Sequence, residues 1–113
     1  MTPVIVEFGM GTSLRRQDYT EAAKRAISDA LWHNSINVAE LYGFPKEAMR
    51  ILVEIGVQKP EAVDPAALTE PFPYGQPEVV VRKGGLDVPR ADGGKPTVIA
   101  NAVLTVRFEM ERV

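Results

Sequence analysis

The residues best placed to do chemistry lie near the N-terminus. Glu7-Phe8-Gly9-Met10-Gly11-Thr12-Ser13-Leu14-Arg15-Arg16 leads from an apolar stretch through two glycines and two hydroxyls into two arginines. Glycine lets a ligand approach the backbone closely, and a helix that follows such a segment presents partial positive charge. Two guanidinium groups add bidentate donors for a carboxylate or phosphate. Gly9, Gly11, Ser13, Arg15 and Arg16 therefore read as a candidate anion site. The segment lacks the third glycine of a dinucleotide fingerprint, and the chain has no phosphate loop ending in G-K-[ST]. The same residues also read as a tight turn with two solvated arginines.

Four further positions carry candidate chemistry. Glu7 is a general base if burial raises its pKa, or else an ion-pair partner for Arg15, Arg16 or Arg82. His33 is the only side chain whose ordinary pKa lies near neutrality, and it also suits the C-terminal end of a helix, where a cation favours the dipole. Arg82-Lys83-Gly84-Gly85 could close over an anion, or form a charged hairpin loop. Asn101 interrupts an apolar strand, and a buried amide there needs a partner, either a ligand or a neighbouring subunit. Ser13, Ser28 and Ser35 lack a nucleophile-elbow context.

Composition narrows the chemistry. The 113 residues include no Cys and one His. That excludes disulfides, thiolate zinc, iron–sulfur ligation, a Cys nucleophile and a multi-His metal cluster within the chain. No metal or other cofactor is expected. A formal charge of −2 gives no long-range attraction to nucleic acid or to an anionic membrane, and neither is an expected partner. The start of the chain lacks the basic and apolar regions of a signal peptide, and no apolar run approaches a membrane span, so the expected location is the cytoplasm.

These residues need elements to hold them. Alternation over 3–8 predicts a strand that Gly9-Met10-Gly11 breaks. Asp18 followed by Glu21 gives a capping-box pattern, and Ala23, Ala26, Ile27, Ala30 and Leu31 share a stripe, which predicts a helix over 18–33. Residues 36–48 read as a short helix capped by Asn37 and interrupted at Gly43-Phe44-Pro45. Alternation over 49–57 predicts a second strand. Asp64-Pro65 opens a short helix. Residues 78–82 and 97–109 are the third and fourth strands, joined by a loop or wide hairpin over 84–96.

The expected fold is a single α+β domain spanning 1–113, ordered β-α-β-α-β-β. Its four-stranded mixed sheet has helices on one face, and its last two strands pair. The opposite face then needs cover, so the expected state is a homo-oligomer whose sheets pack together.

The stretch from Val6 to Gly11, the helix from Asp18 and His33-Asn34-Ser35-Ile36 resemble a family of small uncharacterised proteins found in bacteria and plants. The likeness continues through 51–57, Phe72-Pro73-Tyr74-Gly75, Gly84-Gly85-Leu86 and Ile99-Ala100-Asn101-Ala102. The family's marker is a G-x-G-x-D-x-H-G motif. Gly9 and Gly11 match it, while Ser13, Arg15 and Arg16 stand where the motif has Asp, His and Gly. That departure exchanges an acid and an imidazole for a hydroxyl and a guanidinium, a set suited to anions.

The element order is also similar to that of monofunctional chorismate mutases and imine deaminases, which form trimers with sites between subunits. This resemblance implies a chorismate mutase-like fold and favours a trimer. The expected function is binding of a small anionic metabolite at subunit interfaces, with Arg15 and Arg16 as the clamp, Arg82 and Asn101 as partners, and Glu7 or His33 as the proton-transfer group if the protein is catalytic. A non-catalytic interaction module and a hydrolase of cyclic amides are the alternatives.

Overall fold

The computed structural model describes residues 4–32, 49–70, 72 and 76–108. Five strands form one mixed sheet: β1 (Val4–Ser13), β2 (Met49–Val57), β3 (Gln76–Lys83), β4 (Leu86–Val88) and β5 (Thr97–Phe108). One α-helix, α1 (Tyr19–Trp32), and two 3-10 helices, Pro60–Ala62 and Pro65–Thr69, complete the described elements. The short helix expected within 36–48 lies outside the described residues.

The sheet order is β1-β5-β2-β3, with β4 also paired to β5. β5 runs antiparallel to β1, β2 and β4, and β2 runs parallel to β3. Three expectations are corrected. The sheet has five strands, because Leu86–Val88 within the expected loop pairs with Thr97–Ile99. The expected pairing of the third strand with the last does not occur: β3 pairs with β2, and β5 lies at the centre of the sheet. β1 is not broken at Gly9; it stays paired with β5 through Ser13.

The glycines explain the last point. Odd-numbered β1 residues face α1. A Cβ on Gly9 would lie 2.1 Å from the Ala26 carbonyl oxygen, and one on Gly11 would lie 2.2 Å from that of Ala22. The helix answers with Ala22, Ala23, Ala26 and Ala30, all fully buried. Ala100 and Ala102 of β5 extend the same shallow trough. Small residues on both layers let the helix axis settle close to the sheet, which raises contact density over the strand. Beyond the trough larger side chains fill the core: Ile27 from the helix, Val53, Ile55, Val57 and Leu104 from the sheet, and Leu68 from the second 3-10 helix.

That 3-10 helix begins as its sequence suggests, with the Asp64 carboxylate accepting from the Ala66 N–H (3.1 Å) and Pro65 at the first position. It lasts only five residues, too short for the longer hydrogen-bond ladder of an α-helix.

A second glycine cluster allows β4 to exist. The Gly84 N–H donates to the Val57 carbonyl (2.9 Å), and the chain then crosses Gly56 to reach β5. A Cβ on Gly84 would lie 3.1 Å from the Gly56 Cα, and Gly85 has a φ of 61°. The Gln58 amide donates to the Gly84 and Gly85 carbonyls at 3.2 and 3.1 Å and fixes the crossing. β4 thus takes the place beside β5 that β2 vacates.

We expect Gly9→Ala and Gly11→Ala each to lower the unfolding free energy by about 2–3 kcal/mol or more, because an added methyl meets helix backbone that cannot move aside alone. Urea denaturation checks this, with Ser28→Ala on the exposed side of α1 as the near-neutral control.

Candidate functional site

The C-terminal end of β1 and the start of α1 enclose an open cleft of about 620 Å³ lined by Ser13, Leu14, Arg15, Arg16, Asp18, Glu21 and Arg25. Its floor is built by the helix start. The Asp18 carboxylate accepts from the Glu21 N–H (3.0 Å), as the capping pattern predicts. The return arm differs from a capping box. The Asp18 N–H donates to Ser13 Oγ (3.1 Å), and Glu21 instead pairs with Arg25 (3.3 Å). Gln17, at a φ of 51°, turns the chain from the arginines into the helix.

The electrostatics of the cleft follow from these pairings. Arg25 is held by Glu21 and donates to the Thr12 carbonyl (2.6 Å). Arg15 and Arg16 are exposed, and neither has an ion-pair partner among the described residues. The partial positive charge of the helix start adds to theirs. The cleft therefore presents two guanidiniums without ion-pair partners among the described residues, over a floor where Glu21 pairs with Arg25 and the Asp18 carboxylate caps the helix.

The other sequence-derived candidates fall elsewhere. Gly9 and Gly11 face the helix, so the close approach they permit is made by α1 and not by a ligand. Ser13 is only 4% exposed, and its Oγ is engaged by the helix start. Glu7 lies six residues before Ser13, about 20 Å away along an extended strand. The pairing considered between Glu7 and Arg15 or Arg16 is therefore ruled out. Arg82 sits on β3, three strand spacings from β1, and pairs with Glu54 at 3.8 Å. Glu7 and Arg82 lie on opposite faces, so that pairing is absent too. Gly84 and Gly85 serve the chain crossing rather than a loop over a ligand. Asn101 is exposed, not buried, and points to the face opposite α1. His33 lies outside the described residues.

That opposite face is the second feature of the molecule. Val6, Phe8 and Met10 from β1, Leu14 beyond its end, and Leu86 and Val88 from β4 are the exposed large hydrophobics, between 41% and 68% accessible. Strand alternation puts all of them but Leu14 on the side away from α1. Leu14, exposed directly after β1, lines the arginine cleft.

Sequence reasoning missed two parts of the site region. Arg25 completes the cleft, and its i,i+4 spacing from Glu21 was the available signal. The second is a buried pair. The Tyr19 hydroxyl donates to Asp87 Oδ2 on β4 and accepts from the Gln17 amide (3.1 Å). Asp87 Oδ1 is buried with no hydrogen-bond partner among the described residues. No spacing announces this pair, because its members are 68 residues apart. Among the described residues no group of three or more His, Cys, Asp or Glu is arranged to hold a metal. No described helix is long and apolar enough to cross a membrane.

Burial, and then the hydrogen bond to Asp87, raise the Tyr19 pKa above its ordinary value of 10.0. A raised folded-state pKa means the folded chain holds the proton more tightly, so this contribution to stability is complete below about pH 10 and is lost as pH rises further. We expect Tyr19→Phe to cost about 1–3 kcal/mol at neutral pH, since it leaves the Asp87 carboxylate without its donor. The gap from wild type should narrow above pH 10. Denaturant titrations of both proteins at pH 7 and pH 10.5 measure it.

Residues 3–106 match the family model described as a conserved hypothetical protein, Lin0512_fam. The chain is also similar to an FtsZ-like protein of unknown function from Nostoc punctiforme, known from a crystal structure. The two are 31% identical over 94% of each chain, with a TM-score of 0.81. No curated protein matches it. This chain, with its one small α+β sheet layer and its arginine cleft, belongs to the conserved hypothetical protein family Lin0512_fam.

Proposed function

We propose that this protein is a subunit of a homo-oligomer that holds a small anionic ligand in the cleft of Ser13–Arg25, at the border of the subunit interface. One observation carries the reading: Leu14, exposed and apolar, lines the cleft and directly follows β1, whose Val6, Phe8 and Met10 belong to the apolar face that further copies would cover. The six exposed hydrophobics leave on the order of 600 Å² open, at the upper end of what a monomer tolerates and near the roughly 800 Å² per partner of a standard interface. A second copy supplies matching apolar area without any further component. Copies packed on this face would wall the cleft on its open side.

Arg15 and Arg16 clamp the anion in this reading, and carboxylates, phosphates and deprotonated cyclic amides are the ligand classes that suit two guanidiniums. The chorismate mutase-like resemblance, with its trimers and sites between subunits, supports the same arrangement. Asn101 and Arg82, both on the sheet face, are available to a subunit contact rather than to the cleft. Glu7 is too distant to transfer protons there, so the proposal is one of binding. The cytoplasm is the expected location.

Two measurements test it. Sedimentation of wild type at micromolar concentration should give a multimer built of trimers, and Leu86→Asp should lower its mass. A thermal-shift panel of carboxylates, phosphates and cyclic amides should give hits that are lost in Arg15→Ala and kept in Arg90→Ala. A ligand at 100 times its Kd adds about 2.7 kcal/mol, which raises the melting temperature of a domain this size by roughly 10 °C. A monomeric wild type defeats the interface reading. A multimer without any hit favours a non-catalytic interaction module.

A further inference from the structure

We propose that two copies of this chain join through the free edge of β1, antiparallel, about a two-fold axis at Val6. This rests on the reading that the chain self-associates, and it names the two-fold contact through which two trimers pair into an assembly of six copies.

Among the described residues β1 is an edge strand whose only partner is β5. In an antiparallel ladder, alternate residues direct their N–H and C=O groups to the partner and the others away. In β1 the even-numbered residues face away. The Met10 N–H donates to Asp29 Oδ2 (2.9 Å), and the Thr12 carbonyl accepts from Arg25 (2.6 Å). Helix side chains therefore close the edge at Met10 and Thr12. An unpaired edge is a template for another strand, and charges, prolines or bulges usually guard it. The stretch Val4–Phe8 has no proline and no lysine, and its register with β5 runs without a bulge. Its one charge, Glu7, lies on the helix side of the sheet. No helix side chain bonds the main chain of Val6 or Phe8 among the described residues.

Only one register uses this opening well. Centring the pair on Phe8 sets Val6 against the second copy's Met10, whose N–H is already taken by Asp29. Centring it on Glu7 places two carboxylates directly opposite and engages Met10 again; facing like charges destabilise a strand pair. Centring it on Val6 sets Val4 against Phe8, Val6 against Val6, and Glu7 against Ile5. The two Val6 side chains then meet at the axis, no group bonded by the helix is needed, and no like charges face each other. The strand is complementary to itself in the register that the helix leaves open, which is what an isologous contact requires. The seam also runs beside Val6 and Phe8 of the apolar face, so it joins two exposed patches into one.

The chain has no cysteine, so Val6→Cys and Met10→Cys each carry a single thiol. In this seam the two Val6 positions face each other, while the two Met10 positions lie about 27 Å apart. A short-arm bismaleimide should therefore convert Val6→Cys to a covalent dimer and leave Met10→Cys uncoupled. Val6→Pro removes an N–H that β5 does not use, a change an edge strand tolerates. It should halve the sedimenting mass, while Val6→Thr keeps it. Coupling at Met10 but not at Val6, or an unchanged mass for folded Val6→Pro, overturns the seam and leaves self-association standing. A monomeric wild type overturns both readings. If Val6→Pro fails to fold, the crosslinking pair decides alone.

Discussion

The contact of α1 with β1 depends on atoms that are missing. Gly9 and Gly11 contribute no side chain, and the helix backbone occupies the space where one would be, within about 2 Å of each absent Cβ. Everything around the cleft follows from that proximity. It brings Asp29 and Arg25 within reach of the strand edge. It lays the end of β1 under the helix start, so that Ser13 can receive the Asp18 N–H. It also seats the helix over one side of the sheet, and leaves Leu68 and Val63 of the following segment to fill the core beyond it.

The arrangement is lopsided. One face of the sheet is closed by small residues and by the helix, and the other is left with Val6, Phe8, Met10, Leu86 and Val88 against water. Polar chemistry gathers where the two sides meet, at the end of β1. There the chain leaves the sheet, turns at Gln17 and exposes two arginines before the helix begins. A cleft in that position lies between the helix start and the end of a strand with one apolar side, which is why the proposal joins ligand binding to self-association.

Much of this was legible in the sequence. The alanine stripe, the Asp18 cap and the alternation over 49–57 and 97–108 mark the elements, and each rests on local periodicity. An apolar second face was legible too, since a sheet with helices on one side leaves its other face in need of cover. What was not legible was which layer uses the glycines. A glycine pair before two arginines reads as a ligand turn, whereas here helix backbone fills its space. Three residues of strand between Gly85 and Pro89 are too few to show a period. Strand order is a long-range property, so neither the central place of β5 nor the Tyr19–Asp87 pair leaves a local mark.

The central place of β5 bears on how the chain reaches this state. β5 follows the other four strands in sequence and holds three of them in register. β1 meets its partner across roughly ninety residues, the kind of distant pairing that slows folding. During synthesis β2 can meet β3 early, but β1 emerges with no strand partner and joins the sheet only after Thr97–Phe108 has left the ribosome. Until then both edges of the β1 segment are unpaired, the condition in which an apolar strand is most open to wrong pairing.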